Sequence, residues 1–207
     1  VTVVGRGRLG EGATAKATGG IRTQFSSKVN IELSLASARF YAEFEDRLGQ
    51  PLDFRRHGYL FVIQDEEHLE QFKRNVKLQR SLGVRAELLG PDDLNDLVPG
   101  IRTDDVAGGV YTPDDGSASP TDAVRGFAAS ARSRGASLIQ HTPVIGIDRD
   151  GTGRITGVCT PAGVLPADVV VIAAGPWTAK IGALVGADIP VHPHSRQAFA
   201  IDPLPGL

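Results

Sequence analysis

Three glycines near the start of the chain have the spacing of a dinucleotide-binding turn. Gly5, Gly7 and Gly10 follow the apolar residues 1–4 in the order G-x-G-x-x-G. In such a turn a helix begins at the third glycine and directs its N-terminus at a pyrophosphate. The segment after Gly10, EGATAKATGGIRTQF, lacks the i, i+3, i+4 apolar spacing of a helix that packs on a sheet. We therefore predict a strand end followed by a glycine-rich loop, without a pyrophosphate site.

Other residues with reactive side chains lack the partners that a catalytic or metal site requires. His192 and His194 have i, i+2 spacing, but two histidines alone do not make a metal site. Asp114 and Asp115 precede a glycine and are typical of a turn rather than of a paired acid–base site. Cys159 lies in a strand-like run and is interpreted as a core residue. No metal site is predicted.

The composition is that of a soluble globular protein and excludes two classes of partner. The 207 residues are 41% hydrophobic and 22% charged, with a formal net charge of -2. Neither a basic footprint for nucleic acid nor an apolar run long enough to span a membrane is present. The single cysteine excludes an intrachain disulfide and favours a reducing compartment, so we expect a cytoplasmic location.

Strands alternate with helices in the first two thirds of the chain. Residues 5–25 form a long loop, and a helix capped by Ser26 or Ser27 runs to Leu48. Strands are predicted at GYLFVI and GGVYT, and helices at residues 66–82, from Pro91, and at 120–134. The side chains predicted to point inward are Val29, Leu33, Phe40 and Phe44 in the first helix and Leu69, Phe72 and Val76 in the second.

Consecutive strands dominate the rest of the chain. SLIQ, VIGIDRD, RITGVCT and VLPADVVVIAA read as strands, with D-G-T-G as the turn of a hairpin. The unbroken apolar run VVVIAAG predicts a strand buried in the centre of a sheet. A helix is expected at residues 177–185. The pattern as a whole predicts an α/β fold with an antiparallel insertion.

Four stretches resemble one family of flavoenzymes. HTPVIGIDRDGTGRITGVCTPAGVLPADVVVIAAGPWTAKIGALVGADIPVHPHSRQ resembles the middle of the D-amino acid oxidase and sarcosine oxidase family, which includes glycine oxidase and dimethylglycine dehydrogenase-like enzymes. GATAKATGGIRTQF resembles its second flavin-contact loop, and YTPDDGSASP resembles the segment that returns the chain to the flavin domain. VTVV resembles the second strand of its dinucleotide fold. The resemblance spans nearly the whole chain.

The resemblance implies a fold with two parts and a flavin cofactor. An FAD/NAD(P)-binding-type sheet with an antiparallel insertion is expected at residues 1–50 and 118–188. A smaller α+β substrate domain is expected at residues 51–117 and 189–207. The activity implied is oxidation of the C–N bond of an amino acid or a secondary or tertiary amine, by hydride transfer to FAD.

Flavin contacts are implied in two groups of residues. The glycine-rich loop would lie along the cofactor, where glycine permits close backbone approach. Arg22 would stabilise negative charge on the reduced flavin or on a substrate carboxylate, the alternative being a solvated loop arginine. For residues 173–175 the alternative is a small-residue contact between helix and sheet, and for Trp177 a core position. The implied contacts are Thr14, Gly19, Gly20, Arg22, Val144, Ala173, Ala174, Gly175 and Trp177.

Two departures from the family pattern concern the cofactor. Gly5 stands where the family has an acid that holds the adenosine ribose, and the family's own G-x-G-x-x-G is expected about twenty-five residues before Val1. Lys16 stands where dimethylglycine dehydrogenase-like relatives attach the flavin to a histidine, so any FAD is expected to be non-covalent. We therefore expect this chain by itself to bind FAD poorly.

The sequence is also compatible with alternatives to amine oxidation. The chain is also compatible with a non-catalytic or truncated flavoprotein-like subunit, and with a hydroxy-acid or glycerol-phosphate flavin dehydrogenase. His57, before GYLFV, is a further candidate to face a substrate, the alternative being an ordinary loop residue. No catalytic acid or base is assigned. The expected partners are a small amine or amino acid, and a partner subunit or a homo-oligomer remains open.

Overall fold

The structure is a computed structural model that describes residues 1–197 of the 207. Helices combine with one parallel and three antiparallel sheets in this part of the chain, as the sequence predicts. None of its helices is long and apolar enough to cross a membrane. The elements in chain order are β1 (Thr2–Val4), β2 (Gly20–Ile21), α1 (Lys28–Ala42), α2 (Phe44–Leu48), β3 (Phe54–Arg55), β4 (Tyr59–Ile63), α3 (Glu66–Ser81), β5 (Glu87–Leu89), α4 (Pro91–Leu97), β6 (Gly108–Thr112), β7 (Gly116–Ala118), α5 (Pro120–Ser133), β8 (Ser137–Ile139), β9 (Gly146–Arg149), β10 (Ile155–Thr160), β11 (Gly163–Pro166) and α6 (Thr178–Ala183).

The chain divides into two compact units. Among the described residues, unit 1 contains Val1–Ala17 and 124–197, and unit 2 contains Thr18–Ala123. The division falls within α5. The assignment of one part to FAD and the other to substrate stays a prediction, and its residues 198–207 lie outside the described part of the chain.

Unit 1 contains two separate sheets. Strands β1 and β8 pair in parallel, with Val3 opposite Leu138. Strands β9, β10 and β11 form the predicted antiparallel insertion. The turn between β9 and β10 is closed by Asp150, whose Oδ1 accepts a hydrogen bond of 2.8 Å from the Thr152 backbone N–H. The D-G-T-G prediction is therefore confirmed, because an Asx turn is the chemistry expected of an aspartate at this position.

Unit 2 has its core between helix α3 and the sheet β4–β6–β5. Strand β6 lies in the centre of this antiparallel sheet, and its Val110 is fully buried. Leu69 and Val76 of α3 belong to the core cluster, and Phe72 packs against it. The predicted inward face of this helix is thus confirmed. A second antiparallel sheet in the order β2–β7–β3 holds the segment that leads to Arg22.

The helix predicted from Ser26 or Ser27 to Leu48 is interrupted at Glu43. Ser27 caps α1, since its Oγ accepts a hydrogen bond from the Asn30 N–H. The predicted inward face is wrong at Val29 and Leu33, which are 64% and 61% exposed. Ile31 is the buried residue of α1. Apolar side chains are spread around this helix, so periodicity does not select a face and packing against the sheet decides it.

The prediction of a buried strand at VVVIAAG is wrong. Strand β11 ends at Pro166, and residues 169–174 form no strand. Val169 and Val171 are 78% and 84% exposed. An apolar strand is buried only where neighbouring strands and a covering layer exist. The parallel sheet described in unit 1 consists of β1 and β8 alone, and neither pairs with this segment.

Helix α4 offers a matched test of the unit 2 core. Leu94 is fully buried, whereas Leu97 on the same helix is 38% exposed. We expect Leu94→Ala to lower the free energy of unfolding by about 2–5 kcal/mol, because it leaves a cavity under the sheet. Leu97→Ala should lower it by less than about 1 kcal/mol. Urea unfolding followed by circular dichroism measures both, and equal effects would contradict the packing described.

Candidate functional site

Arg22 directly follows strand β2, and the backbone on both sides of it is held by hydrogen bonds. Gly20 and Ile21 pair with Ser117 and Gly116 of β7. Thr23 and Gln24, directly after Arg22, are 3% and 5% exposed. The Gln24 side chain donates a hydrogen bond of 2.8 Å to the backbone oxygen of Tyr59. The backbone around Arg22 is therefore fixed, which a solvated loop would not provide.

The Arg22 guanidinium lies over three aromatic rings of unit 2. Its central carbon is 5.0 Å from the ring centre of Phe25, 5.8 Å from that of Tyr59 and 5.2 Å from that of Phe61. Cation–π contacts of this kind hold the planar group without using its N–H donors. Within residues 1–197 no ion pair or side-chain hydrogen bond uses Arg22, which is half-buried. Its donors are available to an anion.

A buried carboxylate, at a position where the sequence predicts only a turn, supports this segment. Asp115 is 1% exposed, and its two oxygens accept hydrogen bonds of 3.0 and 2.9 Å from the Thr23 N–H. The Thr23 hydroxyl donates a third bond of 2.7 Å. Burial raises the pKa of the Asp115 carboxyl, while the bonds from Thr23 act in the opposite direction. Its neighbour Asp114 is a surface residue paired with Arg85 at 2.6 Å.

Glycine is required at position 19 of the loop. Gly19 has φ +81°, and a Cβ there would lie 2.2 Å from the backbone oxygen of Ala118. The Gly19 oxygen also accepts a hydrogen bond of 3.0 Å from the Ala118 N–H. A side chain at Gly19 would therefore push β2 and β7 apart. Gly20 has a looser environment, with Tyr59 at 3.7 Å from the position of a Cβ.

Gly12 provides a matched control for this steric requirement. It has φ +85°, but a Cβ there would meet nothing within 4 Å. Both Gly19→Ala and Gly12→Ala carry the cost of a left-handed alanine, about 1–2 kcal/mol. We expect Gly19→Ala to cost about 1–3 kcal/mol more, from the clash alone. Thermal unfolding measures the difference, and equal melting temperatures for the two variants would contradict the close approach of β2 to β7.

The turn at the end of β1 is closed by its own chain. The Arg8 N–H donates to Glu11 Oε2 at 2.6 Å, and the Leu9 N–H donates to Gln140 Oε1 at 2.6 Å. No helix begins at Gly10, which agrees with the prediction from its sequence. A cleft of about 150 Å³ lies here, and small-molecule pockets are typically about 300–1,000 Å³. The cleft is lined by Val3, Gly5, Gly7, Arg8, Leu9, Gly10, Leu138, Ile139 and Gln140.

Further candidate residues of unit 1 include Trp177 and the residues that precede it. The Arg6 guanidinium lies 4.8 Å from the ring centre of Trp177, which is 38% exposed. Gly175 has φ +53° and opens a short 3₁₀ turn, and a Cβ there would meet nothing within 4 Å. Trp177 is therefore not a fully buried residue, and its role as a flavin contact or as a packing residue stays a prediction. Ala173 is exposed, and Ala174, Val144 and Thr14 are half-buried.

The remaining candidates show no catalytic or metal-binding arrangement within the described residues. His57, in the link between β3 and β4, is exposed, as are His192 and His194. Cys159 donates to Asp148 Oδ1 at 3.0 Å, and this bond raises the pKa of the thiol, which disfavours a nucleophilic role. Within the described residues no cluster of three or more His, Cys, Asp or Glu side chains is arranged to hold a metal.

Comparison with known proteins identifies the family. The model of the FAD dependent oxidoreductase (DAO) family matches residues 1–207. The chain belongs to this FAD-dependent oxidoreductase family. Human mitochondrial sarcosine dehydrogenase is 31% identical over 191 residues, which cover 90% of this chain and 21% of that protein. Glycine oxidase of Geobacillus kaustophilus (strain HTA426) is 30% identical over 208 residues, covering 97% and 55%.

A solved structure gives the same assignment for the FAD-dependent oxidoreductase fold. L-Proline dehydrogenase from P. horikoshii superposes with a TM-score of 0.82 at 32% identity, covering 90% of this chain and 49% of that one. The chain thus spans between about a fifth and about half of the length of these relatives. Enzymes of this family depend on FAD. The prediction that FAD is the cofactor is therefore confirmed at the level of the family.

The residues described here fit FAD only in part. Gly12 in the glycine-rich loop and Gly175 leave open space beside them, as close approach of a cofactor requires, whereas the space beside Gly19 is filled by the Ala118 backbone. The end of β1 offers Gly5 and no carboxylate, and its turn is occupied by Glu11. The candidate contacts are also divided between the units, with Gly19, Gly20, Arg22 and His57 in unit 2 and the others in unit 1.

Proposed function

We propose that the protein oxidises the C–N bond of an amino acid or of a secondary or tertiary amine that carries a carboxylate. Arg22 is the observation that supports this. Its guanidinium is held over three rings, and no acidic side chain within residues 1–197 pairs with it. An arginine fork is matched in geometry to a carboxylate and binds it through two parallel hydrogen bonds.

The role of the chain's own residues is binding and orientation. Bound FAD supplies the acceptor for the hydride that leaves the carbon beside the nitrogen, and the resulting imine hydrolyses in water. Arg22 would bind the carboxylate of the substrate and thereby set which carbon is presented. The three rings around Arg22 exclude water from one side of the guanidinium, which strengthens its interaction with an anion. No proton transfer is assigned to His57.

The proposed flavin contacts remain those of the sequence analysis. The open, small-residue turn at Gly175 supports one of the contact segments. Gly19 and Gly20 remain proposed contacts on the resemblance alone, because the close approach at Gly19 is to the backbone of Ala118. Lys16 is exposed and offers no histidine for covalent attachment, so we propose a non-covalent cofactor. The other proposed contacts are Thr14, Arg22, Val144, Ala173, Ala174 and Trp177.

Anaerobic reduction of the flavin distinguishes the proposal from its alternatives. The protein made from its complete coding sequence is mixed with sarcosine, glycine, dimethylglycine or L-proline, and with glycerol 3-phosphate or lactate as hydroxyl substrates. We expect loss of the oxidised flavin spectrum with at least one amine and with neither hydroxyl compound. Reduction by the hydroxyl compounds alone would support a hydroxy-acid or glycerol-phosphate dehydrogenase instead.

A non-catalytic subunit is the second candidate, favoured by Gly5. The end of β1 lacks the acid expected to hold the adenosine ribose, and Glu11 already occupies the neighbouring turn. A protein from the complete coding sequence that is purified without flavin, and is not reduced by any of the six compounds, would support this candidate.

The cellular location and the binding partners of the protein are also matters of proposal. A single cysteine, half-buried and without a disulfide, supports a reducing compartment, and we propose the cytoplasm. The human relative named above is mitochondrial, so fractionation of cells against both cytoplasmic and organelle markers, where the source has them, is the relevant test. We propose the amine or amino acid as the small-molecule partner, and leave the oligomeric state to light scattering.

A further inference from the structure

The contact between Asp115 and Thr23 joins two segments that are 92 residues apart in the sequence. Asp115 immediately precedes β7, and Thr23 lies two residues beyond the end of β2. The β2–β7 ladder ends with the pair Ile21 and Gly116. Beyond this pair, the next backbone N–H that β2 would direct toward β7 is that of Thr23. It donates to the side chain of Asp115 instead of to a backbone oxygen. The carboxylate therefore extends the attachment of β2 past Arg22.

Arg22 is thereby fixed from both directions along its backbone. On the N-terminal side it is held by the ladder of Gly20 and Ile21 with β7. On the C-terminal side it is held by three hydrogen bonds from Thr23 to Asp115. Asp115 is itself anchored, because its backbone oxygen accepts a hydrogen bond of 2.9 Å from the Gly58 N–H, next to Tyr59. One residue thus connects the Arg22 segment to the strand that carries two of its rings.

A buried carboxylate is costly unless it is paired or fully hydrogen-bonded. Asp115 has no ion-pair partner within residues 1–197, and its charge is compensated by the Thr23 donors and by attraction to the nearby Arg22. An apolar residue would fill this position at a lower cost if packing were the only requirement. The observed arrangement uses the carboxylate to orient a backbone segment.

From these contacts we infer that Asp115 is a positioning residue for Arg22: through Thr23 it holds the guanidinium in the place where a substrate carboxylate is bound. The inference rests on the proposed role of Arg22. Asp115 touches neither substrate nor cofactor in this arrangement. Its removal should weaken recognition of the carboxylate, and should leave the reaction of an amine without a carboxylate nearly unchanged.

The test compares Asp115→Asn with Asp114→Asn in the protein made from its complete coding sequence. Asparagine keeps the size of the side chain, but one of its two polar atoms no longer accepts a hydrogen bond. Two measurements are made: the dissociation constant of acetate, by calorimetry, and kcat/KM for a substrate amino acid and for the corresponding amine without the carboxylate. Acetate binding does not require turnover, so it is independent of the reaction assigned to the protein.

We expect Asp115→Asn to lower kcat/KM for the amino acid about tenfold or more. The expected change for the amine without the carboxylate is less than about twofold, and acetate should bind correspondingly more weakly. Asp114→Asn should change neither quantity. In an Arg22→Ala background Asp115→Asn should have no further effect, because residues that act through one another are not additive. A loss shared equally by both substrates would overturn the inference.

Thr23 provides a second, milder pair of variants in case Asp115→Asn does not fold. Thr23→Val removes the hydroxyl donor at nearly constant shape, whereas Thr23→Ser keeps it. We expect selective loss of carboxylate recognition in Thr23→Val and its retention in Thr23→Ser. Equal behaviour of the two variants would overturn the inference.

Failure of the inference is distinct from failure of the proposed function. If Arg22→Ala abolishes acetate binding while Asp115→Asn behaves like Asp114→Asn, the positioning role alone is overturned. If Arg22→Ala leaves acetate binding unchanged, the carboxylate-binding role of Arg22 and the positioning role of Asp115 are both overturned, and oxidation of an amine is then judged by flavin reduction alone. If no amine is oxidised but acetate binding is lost in both Arg22→Ala and Asp115→Asn, the function is overturned and the positioning role is supported.

Discussion

The 207-residue chain, incubated with FAD and then desalted, is expected to leave the column without the visible spectrum of bound flavin. Gly5 offers no carboxylate to the ribose, and no helix begins at Gly10 to receive the pyrophosphate. Loss of a carboxylate that bonds to the ribose is worth about 1.5–3 kcal/mol per hydrogen bond, or about tenfold to a hundredfold in affinity. The turn after β1 supplies no helix N-terminus that could bind the pyrophosphate instead.

Gly5→Glu tests the reason for weak binding. A Cβ at Gly5 would lie 3.8 Å from the Gly7 oxygen, an ordinary contact, so a side chain fits there. In the protein made from its complete coding sequence, Gly5→Glu should tighten FAD binding about tenfold or more, and uncharged Gly5→Gln should tighten it much less. A stoichiometric flavin spectrum that survives desalting of the 207-residue chain would contradict the prediction.

Whether the flavin is attached covalently or non-covalently can be measured on the protein made from its complete coding sequence. Acid precipitation should release all flavin from the protein made from its complete coding sequence, because the resemblance implies that Lys16 stands where a histidine would attach the flavin, and lysine does not form that linkage. Flavin that remains with the precipitate would contradict the non-covalent assignment.

Arg22→Ala is expected to lower kcat/KM for an amino-acid substrate by about a hundredfold or more. Loss of two charge-assisted hydrogen bonds to the carboxylate removes about 3 kcal/mol or more of binding energy. The loss should fall mainly on KM, since the carboxylate is bound in both the ground state and the transition state. Steady-state kinetics with the amino acid and with the corresponding amine without the carboxylate measure it.

Two variants control for charge and for ring contact. Arg22→Lys keeps the charge but loses the planar fork, so we expect an intermediate loss. Arg47→Ala removes an arginine that also lies over a ring, Phe40 at 5.4 Å, but that pairs with Glu43 on the surface. Arg47→Ala should leave kcat/KM unchanged. An unchanged KM in Arg22→Ala would show that Arg22 is a structural residue and would overturn its proposed role.

Local signals in the sequence were sufficient to predict several helices and turns. Ser27 caps α1, and the Asx turn at Asp150 closes the β9–β10 hairpin, as predicted. Helix α3 begins and ends within one residue of its predicted limits, because its apolar residues repeat with a single helical period. The absence of a helix at Gly10 was likewise predictable, since it depends only on the residues that follow. Each of these features is decided by contacts within a few residues.

The order of the motifs along the chain was sufficient to predict its protein family. The glycine-rich loop, the YTPDDGSASP segment and the strand-rich tail occur in the order of a flavoenzyme, and the family match over residues 1–207 agrees with this reading. The sequence also placed Arg22 among the candidates, because it follows the paired glycines of the loop. It could not indicate that Phe25, Tyr59 and Phe61 surround its guanidinium, since two of these lie on a strand far along the chain.

Only the tertiary structure decided the features that depend on distant partners. VVVIAAG has the composition of a buried strand, but burial requires neighbouring strands, and the described part of unit 1 gives it none. Val29 and Leu33 are as apolar as Ile31, yet the sheet of unit 2 packs on the other face of their helix. Asp115 reads as a turn residue because its sequence neighbours are those of a turn. Its burial and its bonds to Thr23 arise from a segment 92 residues away, and no local pattern encodes such a contact.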